Sequence, residues 1–323
     1  MSGSLRLMFA ALACCIVADA ASAQAPYPNR PVRLIVGYAA GGLTDVMTRV
    51  LGDRLSKELG QPIVVENRPG AGTAVASTAV AQAEPDGYTL LMGTTSLAIN
   101  PALQPTLTPK NPMAELAPIG LAYETPFMLL VKKGIPAQNL AEFIAYAKSK
   151  PGQLNIGSSG NGAVNHLILE MFNRQAGVQM VHVPYKGAAP TIIDIFADRL
   201  DGTFATPLDA IPATEKGEAK ILAVTSTEPI ALKPDVPPVA NMFKGFRAVF
   251  WQGLFVPAST PQPVVDRLAQ ALRAATEDKE LKAKVAERGV TMLTGGPAEL
   301  RDLLKAETDA WGKLIRDANI RSE

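Results

Sequence analysis

Leu34-Ile35-Val36-Gly37-Tyr38-Ala39-Ala40-Gly41-Gly42-Leu43-Thr44-Asp45, with the segment that runs on to Leu59-Gly60, decides how the rest of the chain is read. An apolar triplet opens it, a glycine-rich bend follows, and Met47, Val50, Leu51, Leu55 and Leu59 then recur at spacings of three and four. That spacing gathers apolar side chains on one helical face. Gly60 supplies the stop, since glycine adopts the left-handed conformation without steric cost. The stretch reads as buried strand, glycine-rich turn, helix. The first amides of a helix lack intrahelical acceptors and lie at the positive end of its dipole, so such a turn suits a carboxylate or another small anion.

The same alternation continues outward. Ile63-Val64-Val65 is a second strand, Asn67 to Gly72 a loop, and Thr73 to Ala83 an alanine-rich helix. Tyr88 to Gly93 is a third strand that ends in Thr94-Thr95-Ser96. Alternating strands and helices predict a parallel α/β sheet, with ligands beyond the carboxyl ends of the strands. Residues 100–126 are proline-rich and read as an irregular passage between lobes. Beyond it, Leu154-Asn155-Ile156 leads into Gly157-Ser158-Ser159-Gly160-Asn161-Gly162 and a helix from Ala163 that carries His166, Leu169 and Phe172. This repeats the opening plan, and two such turns in one chain point to a two-sided anion pocket. Asp209, after the short strand Thr203-Phe204-Ala205, is placed to pair with an amine or hydroxyl of a ligand or to cap its helix. A last strand, Phe250 to Pro257, and helices over 263–277, 279–288 and 297–315 complete the chain.

Length and composition narrow the class. The chain has 323 residues, 47% of them hydrophobic, which is ample for one or two cores. A net charge of +1 without a basic run argues against nucleic acid as a partner. Arg6, the apolar run Leu7 to Val17 and Ala21-Ser22-Ala23 read as a signal peptide cleaved after Ala23. Both cysteines, Cys14 and Cys15, fall inside it, so the mature chain is expected to carry no disulfide, thiolate metal site or thiol nucleophile.

Catalytic constellations are sparse. His166 and His182 do not stand at metal-ligand spacing. Gly157-Ser158-Ser159-Gly160 misses the spacing of a nucleophile elbow, and no glycine-rich loop carries a nucleotide fingerprint. An exported serine hydrolase using Ser158 or Ser159 is the alternative function. His166 is either a packed core histidine or a pocket residue, and Trp251 reads as core.

The ordered set Tyr27-Pro28 to Asp45, Val65-Glu66-Asn67-Arg68-Pro69-Gly70-Ala71-Gly72, Pro85 to Leu91, Gly157 to His166, His182 to Gly187, Leu222 to Ser226 and Trp251 to Pro261 resembles the Bug proteins. These are the periplasmic receptors of the tripartite tricarboxylate transporter family. The resemblance covers the mature chain. It implies a two-lobed periplasmic binding fold of the Venus-flytrap type (type II), each lobe a mostly parallel sheet flanked by helices. Residues 24–126 and 227–323 would form one lobe and 127–226 the other. It also implies a monomer without cofactor or metal that captures a small organic carboxylate (a di- or tricarboxylate or an aromatic acid) in the interlobe cleft, for membrane permease subunits or a sensor kinase ectodomain. Carried over residue by residue, the ligand would meet Tyr38, Ala39, Gly41, Gly42 and Thr44 of the first loop, and Thr95 and Ser96 of the third-strand loop. In the second lobe it would meet Ser158, Asn161, Gly162, Ala163 and His166, with Tyr185, Thr206 and Asp209 on the specificity side. The chain departs from the family pattern at Ala163-Val164, where many members carry two threonines, and at Ala205-Thr206, where an Asp-Asn pair is common. The first change makes the pocket more apolar, and the second counts against an amino-acid ligand and favours one without an ammonium group, a less polar or aromatic acid.

Overall fold

The computed structural model describes residues 27–185 and 187–321, so the expected signal peptide, its cleavage site and both cysteines lie outside the described residues. In chain order the first elements are β1 (Val32–Val36), α1 (Leu43–Leu59), β2 (Ile63–Asn67), α2 (Ala74–Ala81) and β3 (Thr89–Thr94). Then come α3 (Ser96–Leu103), α4 (Pro112–Glu115), β4 (Leu116–Pro126), β5 (Met128–Lys132) and α5 (Leu140–Ser149). The middle of the chain gives β6 (Asn155–Ser158), α6 (Val164–Ala176), β7 (Val181–Pro184), α7 (Ala189–Phe196), β8 (Gly202–Ala205), α8 (Pro207–Glu215) and β9 (Ala219–Val224). The return segment supplies β10 (Val249–Pro257), α9 (Gln262–Glu277), α10 (Lys279–Ala286), β11 (Thr291–Met292) and α11 (Pro297–Asp317).

The strands form two sheets, ordered β11-β4-β10-β3-β1-β2 and β7-β6-β8-β5-β9. Both are mixed rather than mostly parallel. β1 is parallel to β2 and β3, and β6 to β7 and β8. β10 runs against β3 and β4, and β5 against β8 and β9. The reason lies in where each strand meets the space between the sheets. β1, β3, β6 and β8 run toward it and end in its loops, whereas β5 and β10 start beside it, at Phe127 and Phe250, and run away.

Packing follows the sequence pattern closely around β1. Val32, Leu34 and Val36 are fully buried against Met47, Leu51 and Leu55 of α1 and Leu268 and Leu272 of α9. Ile35 points to the other face, in a cluster with Leu91, Leu97 and Trp311. A strand covered on both faces has to be apolar throughout, as this one is. Gly60 closes α1 in the left-handed region (φ 72°), its N–H donating to the Ser56 carbonyl at 3.0 Å.

Residues 100–126 are not an irregular passage. They hold the end of α3, then α4, and the eleven-residue β4. Pro118 and Gly120 break the strand signature, but β4 bulges against β10 on either side of Gly120, where Ala122 and Ile119 are skipped at the register shifts Gln252/Gly253 and Leu254/Phe255. On its other side β4 pairs with β11 only at Tyr123 and Glu124, so the missing N–H of Pro118 leaves no gap in that ladder.

The sheets are joined by crossing strands tied at one point. Phe127 alone separates β4 from β5. Its N–H donates to Thr225 Oγ1 (2.8 Å), and the Thr225 N–H donates to its carbonyl (2.9 Å). The Ala248 N–H donates to the Thr225 carbonyl (3.0 Å), which ties the entry into β10 to the same point. Thr225 is fully buried. Thr225→Val keeps the shape and removes the hydroxyl, leaving the Phe127 N–H unpaired. It is expected to cost about 1–3 kcal/mol, read as a lower unfolding midpoint in urea.

Candidate ligand-binding site

The loops at the facing ends of the two sheets enclose a hollow of about 630 Å³, within the range of small-molecule sites. α1 begins on it from the first sheet. Its N-cap, Gly42, gives no side-chain cap, and Val46 is the first residue of the helical ladder, donating to the Gly42 carbonyl. The amides of Leu43 and Thr44 therefore precede any intrahelical acceptor. Asp45 does not face a ligand. It is buried, accepts from the Gly41 N–H (2.9 Å) and from Asn67 Nδ2 (2.9 Å), and pairs with Arg49 (2.9 Å). These bonds fix the shape of the first loop. Tyr38 stands over it, its hydroxyl 3.2 Å from Ser96 Oγ and its ring edge-on to Phe250. Burial raises the pKa of the phenol, which keeps it a neutral hydroxyl.

From the second sheet, β6 bends through Gly160 (φ 142°) and Gly162 (φ 71°) into α6. This helix also has no side-chain cap, its N-cap being Ala163. Its ladder starts with the Leu167 N–H on the Ala163 carbonyl, so the amides of Val164 and Asn165 precede it. The Ser159 N–H and hydroxyl both donate to Asn165 Oδ1, and Asn165 Nδ2 donates to the Phe204 carbonyl, which ties this loop to β8.

Behind the bend lies a histidine pair. The rings of His166 and His182 stack 3.6 Å apart at 5°. The Gly162 N–H donates to His166 Nδ1 (3.0 Å), so that ring is neutral with its proton on Nε2, which stands 3.9 Å from Glu170 Oε1. Ser158 Oγ is 2.6 Å from His182 Nε2 and accepts from the Gly160 N–H. Burial lowers both histidine pKa values to about 4, with repulsion from His182 adding to the effect on His166. An unfolded histidine titrates near ~6.5. The stability these rings contribute is therefore complete above that pH and is lost as the pH falls toward 4, where the unfolded chain binds more protons. Glu170, whose carboxyl is pushed up by burial, works in the opposite direction. The unfolding temperature is expected to drop between about pH 6.5 and 4, and His182→Asn to flatten that slope, both readable by scanning calorimetry.

Tyr38, Gly42, Thr44, Ser96, Asn161, Gly162, Ala163, Thr206 and Asp209 line the hollow. Ala39, Gly41, Thr95, Ser158, His166 and Tyr185 do not. Ala39 and Gly41 are exposed to solvent. Thr95 is fully buried and accepts the Trp251 N–H on its hydroxyl (3.2 Å). Tyr185 donates its hydroxyl to Asp194 (2.6 Å). Ser158 is fully buried behind the bend, so the Ser158–His182 contact holds a loop and does not open onto the hollow. The walls that sequence reasoning missed include Leu43, Ile99, Asn100, Leu103, Gln104, Phe127, Phe204 and Phe250. Asn100 and Gln104 lay in the stretch read as irregular; their spacing of four was the available signal. Among the described residues no cluster of histidine, cysteine or carboxylate side chains is arranged to hold a metal, and no helix is long and apolar enough to cross a membrane.

Two α/β lobes with helix starts facing a shared hollow define a periplasmic binding protein. The chain belongs to the tripartite tricarboxylate transporter family of receptors, whose family model matches residues 47–320. It is similar to the protein BugT of Bordetella pertussis, at 30% identity over 91% of either chain. A protein of R. palustris solved with adipate superposes with a TM-score of 0.81 at 30% identity, over 92% of this chain and 100% of that one. MatC of Rhodopseudomonas palustris, solved with bound malate, gives 0.76 at 32% identity, over 90% and 100%.

Proposed function

We propose that the protein captures a small organic carboxylate between its lobes and presents it, once the lobes have closed, to membrane permease subunits or a sensor ectodomain. The lobes are residues 24–126 with 227–323, and 127–226. The observation that carries this reading is that α1 and α6, one from each sheet, start on the same hollow with bare first-turn amides. Among the described residues around that hollow there is no lysine or arginine. A carboxylate would be held there by preorganised N–H groups and helix dipoles, which is weak from one side alone and strong when both lobes supply it. Closure follows from this, because only the shut state offers both sets of donors. The adipate and malate found in two similar structures support the same ligand chemistry. The role is read as non-enzymatic, since Ser158, in contact with a histidine, is sealed behind the bend. Export by the signal peptide, cleaved after Ala23, would place the receptor in the periplasm.

The test is a thermal-shift screen of residues 24–323 against linear and aromatic mono-, di- and tricarboxylates. A ligand at a hundred times its Kd stabilises the native state by about 2.7 kcal/mol, a shift of several degrees. A flat response to every acid, or ester turnover lost on Ser159→Ala, would overturn the receptor reading.

A further inference from the structure

The helices that start on the hollow differ in what their first turns carry. α6 has no acidic residue there. α1 has Asp45, but Arg49, Asn67 and the Gly41 amide satisfy that carboxylate away from the hollow. α8 opens with Thr206 and carries Asp209 in its first turn, facing the hollow. Asp209 accepts from Thr206 Oγ1 on Oδ2 (2.8 Å) and, among the described residues, forms no ion pair. It is also the one charged side chain among the described residues of the lining. Apolar side chains, Leu43, Ile99, Leu103 and Phe204 among them, make up much of the remaining lining, with the neutral amides of Asn100 and Gln104 beside them.

We infer that the receptor selects a monocarboxylate with an apolar body and a hydrogen-bond donor, hydroxyl or ammonium, at its far end, and that Asp209 rejects a second carboxylate there. The inference rests on the carboxylate reading above and adds the ligand's other half. At the bare starts of α1 and α6 an anion meets partial positive charge. At α8 that charge is already cancelled by Asp209, whose remaining oxygen seeks a donor. A second ligand carboxylate at that pole would stand close to a like charge in a cleft that excludes water, where screening is weak. A donor placed there forms a charge-assisted bond instead. The apolar share of the walls rewards a methylene chain or a ring.

Two length-matched sets test this by calorimetric titration of residues 24–323. One is hexanoate, its terminal alcohol, its terminal amine and adipate. The other is benzoate, its para-hydroxymethyl and para-aminomethyl derivatives and terephthalate. In whichever set binds, the alcohol or the amine is expected to bind at least about tenfold more tightly than the parent acid, and the diacid most weakly. The alcohol and amine arms tell the two donors apart. Asp209→Asn keeps an acceptor for Thr206 and removes the charge, so it should raise diacid affinity at least about tenfold and weaken the amine. A diacid that binds the wild-type chain as well as the alcohol, or that is indifferent to Asp209→Asn, overturns this inference alone. Silence from every acid in both sets and in the wider screen overturns the carboxylate reading and this one with it.

Discussion

Gly162→Ala is expected to abolish ligand capture while both lobes stay folded. Gly162 sits in the left-handed region (φ 71°), where a side chain costs about 1 kcal/mol or more. The larger effect lies across the cleft. A Cβ at this position would stand 1.9 Å from Leu103 Cδ2 and 3.0 Å from Leu103 Cγ. Leu103 ends α3 on the first sheet's side, whereas Gly162 belongs to the bend of the second. The clash therefore falls where the two lobes approach, on a leucine at the edge of the buried cluster. Affinity for the natural acid should fall by about a hundredfold or more, comparable to other losses from overpacked contacts. The ligand-free unfolding temperature should move by only a few degrees. Leu103→Ala in the same chain removes the obstructing methyls and should return part of the affinity, a coupling that a double-mutant cycle measures directly. Independent, additive effects of the two substitutions would mean that these residues do not meet.

Trp251→Ala should give the largest loss of stability. Trp251 is fully buried in β10, in the middle of the first sheet. Its indole N–H donates to Glu307 Oε2 at 2.6 Å, and Trp311 donates to the same oxygen at 3.1 Å. Burial already pushes the Glu307 carboxyl up, against these two bonds. Truncation removes a large side chain from a packed core and takes one donor from a buried acid. The cavity alone is worth roughly 3–5 kcal/mol, or a fall in unfolding temperature of about 6–15 °C for a chain of this size. Trp251→Phe separates the two contributions, because it keeps most of the volume and loses only the N–H. Its cost should be less than half that of the alanine variant, by calorimetry.

Where a signal is local, the sequence carried it. Met47, Leu51, Leu55 and Gly60 show α1 and its end, and the structure buries those three apolar residues and closes the helix at that glycine. The two glycine-rich bends were visible for the same reason, and the structure brings both to one hollow. β4 was hidden because Pro118 and Gly120 imitate coil, and their accommodation depends on bulges against β10, more than a hundred residues later in the chain. The direction of β5 and β10 was hidden too, since strand order is not written in any one segment. Within the site, residue type alone did not separate lining from support. Ser158 and His166 look like ligand groups, yet each is engaged by a partner: His182, 24 positions beyond Ser158, and the Gly162 amide, on which His166 folds back. Leu43, Ile99, Phe204 and Phe250 pass for core in any window and are walls only because the opposite lobe stands away from them.

The passage from β4 into β5 through a single residue imposes a parity rule on the gene. Met128 and Leu130 serve one hydrophobic cluster and Leu129 and Val131 another, on opposite faces of the same strand. Adding or deleting one codon at Phe127 exchanges those faces along the whole strand and presents every side chain to the wrong neighbours. The proline-rich coil over residues 227–238 has no such alternation to keep, and length changes between homologues belong there.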